Sequence, residues 1–142
     1  MIFDGMSRDT LREMYRSAWR KFKGQQTLSP LEKQVVAVIS EHPEYRVILE
    51  SAAADLANYS PRSGQINPWL HMGLHLAIRD QVNTNRPHGI AELHARLVKS
   101  SGDAHEAEHR MLEVLAEQLW EAQRSGQPPD EAAYLDRLRT LA

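Results

Sequence analysis

The chain has 142 residues, with 17 Lys plus Arg against 19 Asp plus Glu, seven His and no Cys. The missing sulfur excludes disulfide frameworks and Cys-based zinc clusters, and the length supports one domain with its own core, read as residues 1–142. A formal net charge of −2 argues against nucleic acid as a bulk electrostatic partner. No apolar run is long enough to span a membrane and the N-terminus carries no leader pattern, so the expected setting is cytoplasmic, without a membrane.

A helical period runs almost throughout and no sustained two-residue alternation competes with it, which predicts an all-α chain. The expected architecture is a compact multi-helix bundle of about six or seven helices with a four-helix-type core. The first helix, Ser7 to Lys23, places Leu11, Met14, Tyr15, Ala18, Trp19 and Phe22 on one face and stops at Gly24. Ser29 and Pro30 start the second, with Leu31, Val35, Val38 and Ile39 inward and His42 at its end, before Pro43. A third helix covers Glu44 to Leu56, and the turn-rich stretch Asn58 to Gly64 predicts a loop. Asn67 and Pro68 open a fourth helix to Asn85, and Pro87 to Ser100 form a fifth. Asp103 caps the longest, which Gly126 and Pro128 end, and Asp130 to Leu141 complete the set.

Helical projection sorts the histidines. With His105 at zero, His109 falls at about 40° and Leu112 at about 340°, so both imidazoles share the apolar stripe, with Glu108 at its edge. On the fourth helix His71 and His75 flank the line through Leu74 and Ile78. Two His at i and i+4 can converge on one cation, and two such pairs on facing helices supply four nitrogens. The expectation is a transition-metal site formed by His71, His75, His105 and His109, with His42 and Glu108 as additional or alternative ligands. Imidazole suits Zn, Fe and Ni, and an added carboxylate keeps Mn in play. If the site is catalytic, Glu106 or Glu108 is the candidate proton acceptor. The alternative is a non-enzymatic structural or interaction domain whose buried His are hydrogen-bonded. His88 and His94 read as structural.

His105-Glu106-Ala107-Glu108-His109 matches the H-E-x-x-H zinc-protease pattern, yet Glu108 and Arg110 put charge where such helices carry little, and the further Gly and His of one large group are missing. The imidazole-rich, carboxylate-poor set fits a mononuclear site, or a hemerythrin-like pair of irons, better than a ferritin-like centre. Arg8, Arg12, Arg16 and Arg20 repeat every four residues on the first helix. Their bland reading is a solvated face; their functional reading is a basic face for an acidic partner or a homodimer, opposed by Glu106, Glu113, Glu117 and Glu121. Trp19, Trp69 and Trp120, with Met14, Met72 and Met111, read as core or groove lining.

Four blocks in order, EHPEY at 41–45, NPWLHMGLHLAIRDQ at 67–81, GDAHEAEHRMLE at 102–113 and LWEAQRSGQPPDEAAYL at 119–135, resemble the bacterial domain-of-unknown-function family numbered 1841. The resemblance covers nearly the whole chain and implies a bacterial cytoplasmic protein, with no reaction attached. His42, His71, His75, His105 and His109 all lie in these blocks.

Overall fold

The computed structural model describes residues 8–50 and 68–142. Among them are seven α-helices and no strand: α1 (Arg8–Lys23), α2 (Pro30–Glu41), α3 (Pro43–Glu50), α4 (Pro68–Thr84), α5 (Ile90–Ser101), α6 (Ala104–Ser125) and α7 (Glu131–Leu141). The expected all-helical class holds. The predicted loop at 58–64, the Asn67 cap and the end of the third helix at Leu56 lie outside the described residues. No described helix is long and apolar enough to cross a membrane.

Helix boundaries follow their capping chemistry. At α2 the Ser29 hydroxyl accepts from Glu32 N at 3.2 Å while the Glu32 carboxylate accepts from Ser29 N at 2.9 Å, a reciprocal capping box with Pro30 in the first turn. Asp103 and Asp130 cap α6 and α7 through His105 N and Ala133 N. Gly102 and Gly126 close α5 and α6 in the left-handed region, at φ 73° and 72°. The fifth helix begins three residues later than Pro87, because Gly89 at φ 98° is left-handed. There the Asn85 carboxamide oxygen accepts from Gly89 N and Ala91 N, satisfying the amide of the first turn from outside the helix.

The chain divides into two compact units, Met1–Leu76 and Ala77–Ala142, with the boundary inside α4. In the first, α1 packs on α2 and α3, and Tyr15, Ala18, Trp19, Val35, Ile39, Tyr45, Leu49, Trp69 and Met72 share a buried core. In the second, α5 lies along α6 and α7 packs against both, burying Ile90, Leu93, Leu97, Met111, Leu115, Tyr134 and Leu138. The Tyr134 hydroxyl donates to Gln81 Oε1 at 2.8 Å, and burial pushes that phenol well above its ordinary range.

The arginine row of α1 is not one uniform face. A four-residue spacing overshoots the 3.6-residue turn by about 40° per step, so the row winds around the helix. Arg12 consequently falls beside Tyr15 and Trp19 and is 5% exposed, with its guanidinium 5.2 Å from the centre of the Trp69 ring. Arg20, two steps on, is exposed and pairs with Glu13 at 2.6 Å. The acidic row of α6 also finds local partners: Arg137 takes Glu117 and Glu121, and Arg110 takes Glu106. Trp120 departs from the core expectation: it is 58% exposed, under the Arg124 guanidinium at 4.3 Å.

Candidate metal centre

The first unit brings three imidazoles together from two places in the chain. His71 and His75 stand one turn apart on α4, where i and i+4 side chains share a face. His42 occupies the C-cap of α2, immediately before α3 begins at Pro43. Their ring centres are 4.5 Å apart for His42 and His75, 4.8 Å for His71 and His75, and 5.9 Å for His42 and His71. Each of the three offers a ring nitrogen, and these nitrogens lie within 4.8 Å of one another. His75 is completely buried, His42 is 4% exposed and His71 is half-buried.

The C-cap explains the setting of His42. Its backbone N–H turns to Ile39 O rather than continuing the helix, which leaves the Val38 carbonyl without its regular helical donor. His42 Nδ1 lies 2.8 Å from that oxygen. A carbonyl can only accept, so Nδ1 carries a proton, and in the neutral ring Nε2 then carries the lone pair. This is the outer-shell arrangement that orients a metal-binding imidazole through its other nitrogen. Tyr45, in the first turn of α3, stacks on the His42 ring at 4.8 Å and 16° and holds its plane from the side.

His71 Nε2 and His75 Nε2 are 3.1 Å apart. At that separation one ring donates N–H to the other or both direct lone pairs at a shared cation. Two nitrogens bound to one tetrahedral zinc at ordinary bond lengths are about 3.3 Å apart, so the observed pair already has close to a chelating spacing.

A family model described as domain of unknown function (DUF1841) matches residues 7–140. The chain belongs to the DUF1841 family. No curated protein and no solved structure matches it.

In this DUF1841 chain the remaining candidates from the sequence sit in the second unit and fare differently. His105 and His109 meet edge to face at 4.3 Å, as their spacing on α6 requires. His109 is half-buried, but His105 is exposed: burial on α6 starts only at Ala107, so the first turn projects past the packed part of the helix. The inward placement expected of His105 is therefore corrected. Glu108 is buried as projected, yet Arg79 Nε donates to both of its carboxylate oxygens, at 3.1 and 3.2 Å. One guanidinium N–H is thus shared between the two oxygens, and Glu108 serves Arg79 as an ion-pair partner. Glu106 is exposed and paired with Arg110 at 2.9 Å one turn along, a solvated contact. His88 is exposed and His94 half-exposed.

In the sequence His42 is marked only by its place at the end of a helix, before Pro43. The informative signal was its position at a C-cap, where an orphan carbonyl can fix the tautomer of a nearby imidazole.

Proposed function

We propose that this chain binds a single transition-metal ion through His42, His71 and His75, supplied by the first unit. The observation that carries this reading is the convergence of three imidazoles at a largely buried point, one of them with Nδ1–H fixed on a backbone carbonyl. A cation bound among them would accept a lone pair from each of the three rings at once. The donors suit Zn, Fe and Ni, and with no carboxylate among them they suit Mn less.

The sequence pattern offers His105 and His109 of α6 as further donors. His109 is half-buried and His105 is exposed, and the reading proposed here rests on the three imidazoles of the first unit. Four imidazoles would make a closed, structural type of site; three would leave a position for an exchangeable ligand, as in metal-dependent enzymes. The alternative is a metal-free aromatic cluster of His42, Tyr45, His71 and His75 that serves packing alone.

Metal analysis of untagged protein separates these. The metal reading predicts about one equivalent of Zn, Fe or Ni per chain, lost on His71→Ala and His75→Ala; less than about a tenth of an equivalent, with none taken up on dialysis against Zn, overturns it.

A further inference from the structure

The outer face of α6, in the second unit, carries an aromatic side chain between two charges that form no ion pair among the described residues. Trp120 is 58% exposed, and the Arg124 guanidinium lies over its ring at 4.3 Å. Glu113, Trp120 and Arg124 are spaced by seven and four residues, which at about 100° per residue places all three within a stripe about 40° wide. Glu113 and Arg124 are both exposed, and neither has an ion-pair partner among the described residues. Their neighbours on α6 do: Glu106 takes Arg110, and Glu117 and Glu121 take Arg137. Glu113 and Arg124 cannot take each other, because eleven residues of helix hold them about 16 Å apart along the axis.

Opposite charges three turns apart on one face are complementary to the same face turned end for end. Laid antiparallel on a second α6 about a two-fold axis, the stripe sets Arg124 opposite the second copy's Glu113, and the symmetry repeats that contact at the other end. This register centres the pair between residues 118 and 119. The two Trp120 side chains then fall about 4.5 Å apart along the helix direction, close enough to stack on one side of the contact. The two Glu117 carboxylates meet on the other side, where each is already held by its own Arg137, at 3.4 Å. Trp and Arg are also the side chains that interface centres favour, the aromatic for its area and the guanidinium for its directed hydrogen bonds.

We infer that two copies of this chain associate through α6, antiparallel and two-fold symmetric, with Trp120 packed on Trp120 near the axis and Arg124 paired with Glu113 at both ends. The contact covers about three turns of each helix, less than the roughly 1,200–2,000 Å² of a stable interface, so the dimer is weak, with a Kd on the order of 10–100 µM. The metal reading has no part in it, since His42, His71 and His75 belong to the first unit and α6 to the second.

The test is sedimentation equilibrium of the full untagged chain in EDTA, from about 5 to 500 µM. Wild type should pass from monomer to dimer. Arg124→Glu and Glu113→Arg should each weaken association about tenfold or more, because each change acts twice in a symmetric pair, and Trp120→Ala should do the same. Combining the two charge reversals should bring association back to within about threefold of wild type, because the ion pair re-forms with its ends exchanged. Arg20→Glu, on the exposed flank of α1, should change nothing. All four positions are exposed, and circular dichroism checks that each variant is folded. A chain that stays monomeric to about 500 µM, a double variant no tighter than either single reversal, or equal weakening by Arg20→Glu would each overturn the inference. EDTA removes metal-bridged association, so failure here leaves the metal proposal intact, and failure of the metal proposal leaves this one intact.

Discussion

Removing one imidazole from the cluster should uncouple thermal stability from added metal. A ligand that binds only the native state stabilises it by about 2.7 kcal/mol at a hundredfold excess over its Kd. For a chain of this size that amounts to a rise in Tm of about 5–11 °C. His71 is the best site for the change, because it is half-buried and the cavity left by His71→Ala opens toward solvent more than one left at fully buried His75. Losing the partner 3.1 Å from His75 Nε2 breaks the chelating pair on α4. If affinity falls about a hundredfold, the same metal concentration stabilises by only about 0.4 kcal/mol, a shift of roughly 1 °C. The assay is a melting curve of wild type and His71→Ala in EDTA and in Zn, at matched ionic strength. A rise in wild type that disappears in the variant is expected. Equal rises in both, or none in either, would refute the reasoning.

Other changes follow from single contacts. Glu108→Gln should leave metal content unaltered while destabilising by about 1–3 kcal/mol in urea, since it strips a partly buried Arg79 of its carboxylate; loss of metal would instead restore Glu108 as a ligand. Gly73→Ala should stabilise by about 0.5–1 kcal/mol, because among the described residues the added Cβ meets only the Tyr15 hydroxyl, at 3.4 Å, and the change removes a glycine from within α4; a lower Tm would show that this contact cannot give. Hydrogen bonds from Lys21 and the Ser29 backbone hold the Glu32 carboxyl down at about 2. Its contribution is present above the ordinary carboxylate range and is lost as pH falls from there toward 2, so Glu32→Gln should flatten the stability profile between about pH 4.5 and 2 and leave its slope at neutral pH unchanged. His105→Ala should bind Zn like wild type, as measured by competition with a chromophoric chelator, and a weakened variant would bring exposed His105 back into the ligand set.

Much of the helical order could be read along the chain because it is written locally. Ser29 with Pro30 and Glu32, Asp103, Asp130, Gly102 and Gly126 act within one turn of themselves, and each ends or begins a helix where its chemistry places it. The i, i+4 pair His71 and His75 was equally local, and their proximity follows from the helix alone. What could not be read depended on distant partners. Nothing in α6 announces that Arg79, 29 residues earlier, occupies Glu108. Projection showed Glu108 as inward, correctly, but inward placement does not say whether metal or guanidinium waits there. The Arg row of α1 winds for a local reason: a repeat of four drifts around the helix, from the core at Arg12 to solvent at Arg20. His105 failed for a third reason, since face position alone ignores how far along a helix the packing extends.

The most direct measurement is X-ray absorption at the K-edge of zinc in protein reconstituted with one equivalent of the metal. Three or four nitrogen neighbours at about 2.0–2.1 Å, with the multiple scattering of imidazole reduced in His75→Gln, are the expected result. A shell of oxygen neighbours without imidazole scattering, or a spectrum unchanged by His75→Gln, would contradict a metal centre formed by His42, His71 and His75.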